Sequence, residues 1–104
     1  MESERNDRGH GLSVILNYGP LGLVRGVTRD IRGDGLWVDT GRITLTRNAP
    51  VEVTFSVRRD NKTQVHRFNA TVAGTDTRGT SLSFQQCPSE VLRVLHEISA
   101  APLH

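Results

Sequence analysis

Residues 29–38 carry the side chains of this sequence that are best suited to bind a ligand, gathered around one short turn. Asp30 offers a carboxylate that accepts hydrogen bonds, and Arg32 offers a planar guanidinium that suits phosphates, guanine edges and carboxylates. Gly33 and Gly35 follow, and glycine permits a positive φ angle or a close approach of the backbone to a ligand or to another strand. The segment therefore predicts the end of one strand, a polar turn with a binding rim, and the start of the next strand.

The other residues that could do chemistry are too scattered to predict a catalytic or metal site. The histidines, His10, His66, His96 and His104, have no cysteine or carboxylate at the spacing of metal ligands. The single cysteine, Cys87, has no candidate base nearby in the sequence and cannot form an internal disulfide. We therefore expect a protein that is not an enzyme, that needs no metal or cofactor, and that lies in a reducing compartment.

Length, composition and charge predict one small domain of a soluble protein. The chain has 104 residues, of which 36% are hydrophobic and 23% are charged, and these proportions suit a single modest core. The formal net charge of +2 is too small to indicate nucleic-acid binding. No apolar run approaches the length of a membrane-spanning helix, and the polar N-terminus lacks the apolar core of a signal peptide. We therefore expect a cytoplasmic protein without membrane insertion.

Short β-branched and alternating segments, separated by turn residues, predict six or seven strands. They are expected at residues 12–18, 22–31, 36–40, 42–46, 51–58, 64–74 and 80–84. In the second segment, apolar residues and arginines share one parity, so Gly26 is expected to mark a bulge or a bend. The number and spacing of the strands are typical of a small antiparallel barrel.

The end of the chain predicts one helix, over about residues 89–99. Ser89 is expected to cap a helix that begins at Glu90. One apolar stripe is formed by Val91, Leu92, Leu95 and Ile98. A helix this short is marginal by itself, so we expect it to pack on the barrel. Residues 1–11 are polar and lack an apolar period, so they are expected to form a flexible arm before a single domain at 12–104.

The turn and the order of elements resemble the PilZ domain, a family of bacterial β-barrels that act as receptors for the dinucleotide cyclic di-GMP. The turn motif of that family is Asp/Asn-x-Ser-x-x-Gly, and Asp30 and Gly35 match its first and last positions. Arg32 stands where the family has serine. The resemblance covers residues 12–98 and implies a mainly β fold, a six- to seven-stranded antiparallel PilZ-like barrel with a C-terminal helix.

The resemblance also implies a ligand site. In the family, a second motif, Arg-x-x-x-Arg, lies about twenty residues before the turn, and its guanidinium groups bind guanine edges and phosphates. Arg8 lies at about that distance from Asp30, but Glu4 occupies the partner position and Arg5 is one step out of register. The implied ligand-binding residues are Arg5, Arg8, Asp30, Arg32 and Gly35. Because a guanidinium replaces a small hydroxyl at position 32, we expect binding of cyclic di-GMP to be weak or lost.

Two functions follow from the sequence. The first is a small stand-alone PilZ-like regulatory protein that acts on a protein partner as an adaptor or as a receptor, with the adaptor role favoured. By resemblance, the partner would belong to the control of motility, pili, biofilm or virulence.

The single tryptophan, Trp37, is expected to lie in the core more than to serve as a platform on which a base stacks. Unpaired strand edges would permit a dimer.

The alternative function is a small nucleic-acid-binding β-barrel. One of its faces would carry arginines: Arg25, Arg29, Arg47, Arg58, Arg59 and Arg67. The near-balanced charge and the shortage of aromatic residues between these arginines disfavour this alternative, since single-stranded nucleic acids bind by stacking on aromatic rings.

Overall fold

Six antiparallel strands and one helix make up the part of the chain that the structure describes. The structure is a computed structural model, and it describes residues 11–100 apart from the side chains of four of them: Arg29, Arg59, Ser99 and Ala100. The elements are β1 (Leu12–Tyr18), β2 (Gly22–Ile31), β3 (Gly35–Asp39), β4 (Pro50–Arg59), β5 (Lys62–Thr75), β6 (Gly79–Phe84) and α1 (Ser89–Ala100). Most of the predicted N-terminal arm, residues 1–10, lies outside the described residues.

The strands close into a barrel in the order β1-β2-β3-β6-β5-β4, with β4 pairing back onto β1. This confirms the predicted antiparallel barrel with a C-terminal helix. The longest ladder joins β4 to β5, from Pro50 opposite Thr71 to Arg59 opposite Lys62. Because every described strand has a neighbour on both sides along part of its length, no described strand is an edge strand throughout.

Alternating side chains fill the interior of the barrel, as a period of two demands. On β1 and β4 the inward residues are at most 3% exposed: Val14, Leu16, Tyr18, Val51, Val53 and Phe55. Phe68 joins them from β5, with its ring centroid 6.3 Å from that of Phe55 and 5.3 Å from that of Phe84. Each fully buried aliphatic or aromatic side chain contributes about 1.5–3 kcal/mol. This core is the rigid support for the residues that face outward.

The segment at residues 42–46 is a loop, so the prediction of a short strand there is wrong. The loop covers the barrel and buries Leu45, which is 1% exposed. The hydroxyl of Tyr18 donates a hydrogen bond to Thr46 Oγ1 (2.8 Å) and accepts one from the Thr46 amide (3.0 Å). A side chain of the barrel therefore satisfies the amide that a neighbouring strand would otherwise have bound.

The irregularity of β2 lies near its end and not at Gly26. Gly26 pairs in regular register with Val14, and the shift in register falls between Thr28 and Asp30. Glycine is needed at position 26 for another reason, because a Cβ atom there would collide with the side chain of Val38. The glycine therefore marks a close approach of β2 and β3, and the bulge is one residue before the predicted ligand site.

The helix, Ser89–Ala100, lies close to the predicted residues 89–99, although its first residue is Ser89 and not Glu90, and it packs against β2 and β5. The carbonyl of Pro88 accepts a hydrogen bond from the Leu92 amide (3.0 Å), so Pro88 and not Ser89 occupies the N-cap position. Val94 is buried beside the predicted stripe, whereas Leu92 is only half-buried. In the described part of the chain, no helix is long and apolar enough to cross a membrane.

Candidate ligand site at the β2–β3 turn

The bulge at the end of β2 decides which way Asp30 points. Thr28 is fully buried in the barrel interior, so a regular strand would also direct Asp30 inward, two residues later. The extra residue reverses this, and Asp30 pairs with Trp37 on the outer face while Ile31 pairs with Leu36. A bulge that re-aims one side chain is common beside functional sites. It places the carboxylate on the surface beside the turn.

The turn itself is held by backbone hydrogen bonds. The Arg32 amide donates to the Gly35 carbonyl (2.8 Å), which leaves Gly33 and Asp34 at the tip. The Phe84 amide donates to the Asp34 carbonyl (2.9 Å), and this bond fixes the tip of the turn to the end of β6. The turn is therefore a preformed part of the barrel surface.

The two glycines of the turn do not adopt a positive φ angle, so that part of the prediction is wrong. Gly35 is required for the other reason considered, a close approach to a neighbouring strand. A Cβ atom at this position would collide with the backbone carbonyl oxygen of Leu82 on β6. Gly33 has nothing within 4 Å of such a Cβ atom. The match of Gly35 to the family motif thus has a structural cause within the barrel.

Asp30 and Arg32 form an ion pair across the rim of the turn. The Arg32 guanidinium donates a hydrogen bond to Asp30 Oδ2 at 3.1 Å, and the side chains are 72% and 52% exposed, respectively. An exposed pair of this kind contributes about 0–1 kcal/mol to stability. The pair matters for ligand binding more than for stability. Arg32, in the serine position of the motif, binds Asp30, the acid in its first position.

Trp37 lies on the outer surface beside this ion pair and not in the core, so the expectation of a core residue is wrong. It pairs with Asp30 on one side and with Ser81 on the other, and it is half-buried. Its indole packs over Gly79, where a Cβ atom would lie 2.6 Å from the ring. The buried neighbours Leu36 and Val38 could have predicted this, since alternation turns the residue between them outward.

A shallow cavity of about 210 Å³ lies on the turn, the indole and β6. Its polar lining includes Asp30, Arg32, Ser81 and Ser83. Ser81 and Ser83 were not predicted, although the alternation of β6 gives two serines on one face. Cavities that bury a drug-sized ligand have volumes of about 300–1,000 Å³, so this one is too small to enclose a dinucleotide. Two other predicted ligand-binding residues, Arg5 and Arg8, lie outside the described residues.

Reactive groups elsewhere in the described chain do not form a second chemical site. Burial raises the pKa of the Cys87 thiol, which makes the nucleophilic thiolate scarcer at neutral pH. Within residues 11–100, no cluster of histidine, cysteine and acidic side chains could hold a metal ion. The β2–β3 turn is therefore the candidate functional site of the described residues.

Comparison with known proteins supports the fold and goes no further. No family model matches the sequence, and no curated protein matches it. The fold is similar to that of the PilZ domain of CeSA from a cellulose-synthesizing bacterium, with a TM-score of 0.60 over 86% of this chain and 89% of that chain. The two sequences are 14% identical over this match, so the likeness shows a PilZ-like fold but transfers no ligand.

Proposed function

We propose that this chain is a small PilZ-like regulatory protein of cyclic di-GMP signalling that works by non-catalytic binding. It acts as an adaptor for a protein partner, and its affinity for cyclic di-GMP is weak or absent. The PilZ-like fold supports the regulatory role. The observation that carries the proposal is the ion pair of Asp30 with Arg32, which occupies the turn where the motif of the family has an acid and a serine.

Arg32 acts against a ligand in two ways. Its long side chain lines the cavity, where a serine side chain would leave more space. It also engages the carboxylate of Asp30, which a guanine edge or a ligand-binding arginine would need. Breaking an exposed ion pair costs about 1 kcal/mol at most, which is a factor of about five in affinity. The larger effect is therefore the occupied space.

The partner follows from the resemblance and not from the geometry of the turn. PilZ-like proteins that lack the arginine pair act as adaptors in the control of motility, pili, biofilm or virulence, and we propose the same cytoplasmic role here. The cavity on the turn fits this proposal, because about 210 Å³ is too small to bury a dinucleotide without a contribution from the N-terminal arm.

Calorimetric titration with cyclic di-GMP, with GTP as the control ligand, tests this proposal on three full-length proteins. We expect wild-type protein to bind with a Kd above about 100 μM or not at all. A Kd of 100 μM corresponds to a binding free energy of about −5.5 kcal/mol. Arg32→Ser restores the small hydroxyl and frees Asp30, so its affinity is expected to rise at least tenfold if the wild type retains any binding. Arg42→Ser removes an exposed arginine of the β3–β4 loop and is the matched control, with no change expected. Micromolar binding by the wild type that Arg32→Ser weakens would contradict the proposal and make Arg32 a phosphate ligand.

The nucleic-acid alternative gains no support from the barrel. Arg25, Arg58 and Arg67 are exposed, as that alternative requires. The aromatic rings that would stack on bases are not beside them, because Phe55 and Phe68 are at most 3% exposed in the core. Phe55 and Phe68 therefore offer no stacking surface beside these three arginines.

A further inference from the structure

The first half of β5 runs past the end of β6 and has a neighbour on one side only. On the β6 side, the hydrogen bonds nearest to this half are those of Asn69, whose carbonyl accepts from the Gln85 amide (3.0 Å) and whose amide donates to the Gln86 carbonyl (3.4 Å). Among the described strands, residues 62–68 pair with β4 alone. We name residues 62–68 the open β5 edge. An unpaired edge of this kind is a template for another extended chain.

The bonds of Asn69 show which backbone groups of the open β5 edge point outward. In a strand, the N–H and C=O groups of one residue point to the same side, and successive residues alternate. Asn69 directs both groups away from β4. The ladder with β4 has no register shift between residues 62 and 69, so the residues at alternate positions do the same: Thr63, Val65 and Arg67. Each of them offers a donor and an acceptor that bond to no other backbone group of the described chain.

We propose that two copies of this chain pair along the open β5 edge, in an antiparallel ladder with its two-fold axis at Val65. In this register Val65 lies opposite Val65 of the second copy, and Thr63 lies opposite Arg67. All the outward residues then meet in hydrogen-bonded pairs, which gives about six hydrogen bonds. An axis at Gln64 or His66 gives only about four, because one outward residue of each copy then lies opposite a residue outside the open edge.

The side chains favour the same register. Val65 is 56% exposed, and in the pair the two valines cover each other. Neither cation of the edge meets another cation, because Arg67 lies opposite Thr63 and Lys62 lies opposite Phe68. The Cα atoms of the two copies of Arg67 are about 14 Å apart, beyond the screening length of about 8 Å at physiological salt. An axis at Arg67 would instead place arginine opposite arginine, which is destabilising.

A second copy fits this edge better than a segment of another protein does. Proteins that add a foreign strand to a sheet select it through pockets for its alternate side chains. The depressions of about 890, 500 and 210 Å³ are lined by none of residues 57–68, so they supply no such pocket here. The hydrogen-bond pattern and the charge spacing of the edge are instead complementary to themselves, as a two-fold interface requires.

The dimer is expected to be weak and to carry two binding sites. A ladder over residues 62–68 is about 23 Å long, which places the contact at the small end of specific interfaces. We therefore expect a Kd of about 100 μM. The dimer presents two β2–β3 turns, so a partner with two docking sites would bind it with higher avidity than it binds the monomer. The inference goes beyond the proposed function, because it concerns another surface and needs no nucleotide.

Sedimentation equilibrium of the full-length protein, from about 10 μM to 1 mM, tests the pairing. We expect the mean mass to rise from that of a monomer toward that of a dimer. Val65→Lys places like charges directly opposite each other, so it is expected to raise the Kd about tenfold. Leu23→Lys makes the same change at an apolar residue of β2 that is 70% exposed, and this matched control should leave the Kd unchanged. Circular dichroism checks that both variants are folded.

Hydrogen exchange locates the contact at single amides. We expect the amides of Thr63, Val65 and Arg67 to exchange more slowly at about 1 mM than at about 10 μM protein. The amides of Gln64 and His66 point toward β4, so their exchange should not depend on concentration in this way. They serve as controls within the same strand.

A wild-type protein that stays monomeric at about 1 mM would overturn the proposal, as would a dimer that Val65→Lys leaves unchanged. Slow exchange of the three outward amides at every concentration would also overturn it, because a segment of the same chain would then cover the edge. None of these experiments contains cyclic di-GMP. Failure of the dimer therefore leaves the proposed function standing, and tight binding of cyclic di-GMP at the turn would leave the dimer standing.

Discussion

At the scale of single residues, the ligand turn combines positions that the barrel requires with positions that it leaves free. Gly35 is dictated by the carbonyl of Leu82 on the neighbouring strand, whereas Gly33 has open space around it. Asp30 and Arg32 are exposed and hold each other. A match to a ligand motif can therefore reflect packing at one position and chemistry at another, and substitutions separate the two.

Gly35→Ala is expected to destabilise the protein by about 1–3 kcal/mol, because the new methyl group must displace the backbone of β6. Gly33→Ala is the matched control, and we expect its free energy of unfolding to change by less than about 1 kcal/mol, toward greater stability. Urea unfolding followed by circular dichroism measures both. Equal stability of the two variants would contradict the close approach of β3 and β6.

Asp76 is expected to make stability depend on pH in the acid range. Its carboxylate accepts hydrogen bonds from the amides of Arg78 (2.7 Å) and Gly79 (2.9 Å), and these bonds lower its pKa below the ordinary value of 3.8. Because the folded-state pKa is the lower one, the stabilisation is present above pH 3.8 and is lost as the pH falls through the lowered pKa. NMR titration of the carboxyl carbon reads the pKa, and Asp76→Asn should flatten the acid limb of the stability curve. A measured pKa of 3.8 or above for Asp76 would contradict these hydrogen bonds to the amides of Arg78 and Gly79.

At the scale of elements, the strands could be predicted where apolar alternation is clear and turn residues mark both ends. They could not be predicted where contacts that are distant in the sequence decide the structure. Residues 12–18 and 22–31 have the predicted bounds, since turn residues end them clearly. The alternating residues 42–46 look like a strand locally, but a distant hydroxyl and one buried leucine make them a covering loop. The position of the bulge was also predicted wrongly. A glycine such as Gly26 is a known sign of a bulge, whereas the sequence between Thr28 and Asp30, where the register shifts, contains no such sign.

Tyr18→Phe tests what holds that loop. The substitution removes a hydroxyl that both donates to and accepts from Thr46, so we expect a loss of about 1–3 kcal/mol and faster hydrogen exchange at residues 42–46. Thr46→Val removes only the bond to the threonine hydroxyl and should cost less. Hydrogen exchange that is unchanged in Tyr18→Phe would contradict a role of the Tyr18 hydroxyl in holding the loop.

At the scale of the whole molecule, closure of the barrel brings β6 beside the β2–β3 turn. The turn with its ion pair and its cavity therefore lies on β2, β3 and β6. The sequence predicted Asp30, Arg32 and Gly35, because these residues are nearly consecutive. Ser81 and Ser83 could not be predicted in the same way, because they join the turn only through the pairing of β3 with β6.

We propose that Arg32, in the serine position of the motif, prevents tight binding of cyclic di-GMP at the β2–β3 turn. Calorimetric titration of cyclic di-GMP into the wild-type protein and into Arg32→Ser, under identical conditions, tests this. We expect no saturable heat from the wild type at ligand concentrations up to about 100 μM. A saturable micromolar transition in the wild type that disappears in Arg32→Ser would overturn the proposal, because the protein would then be a receptor that uses this arginine to bind the ligand.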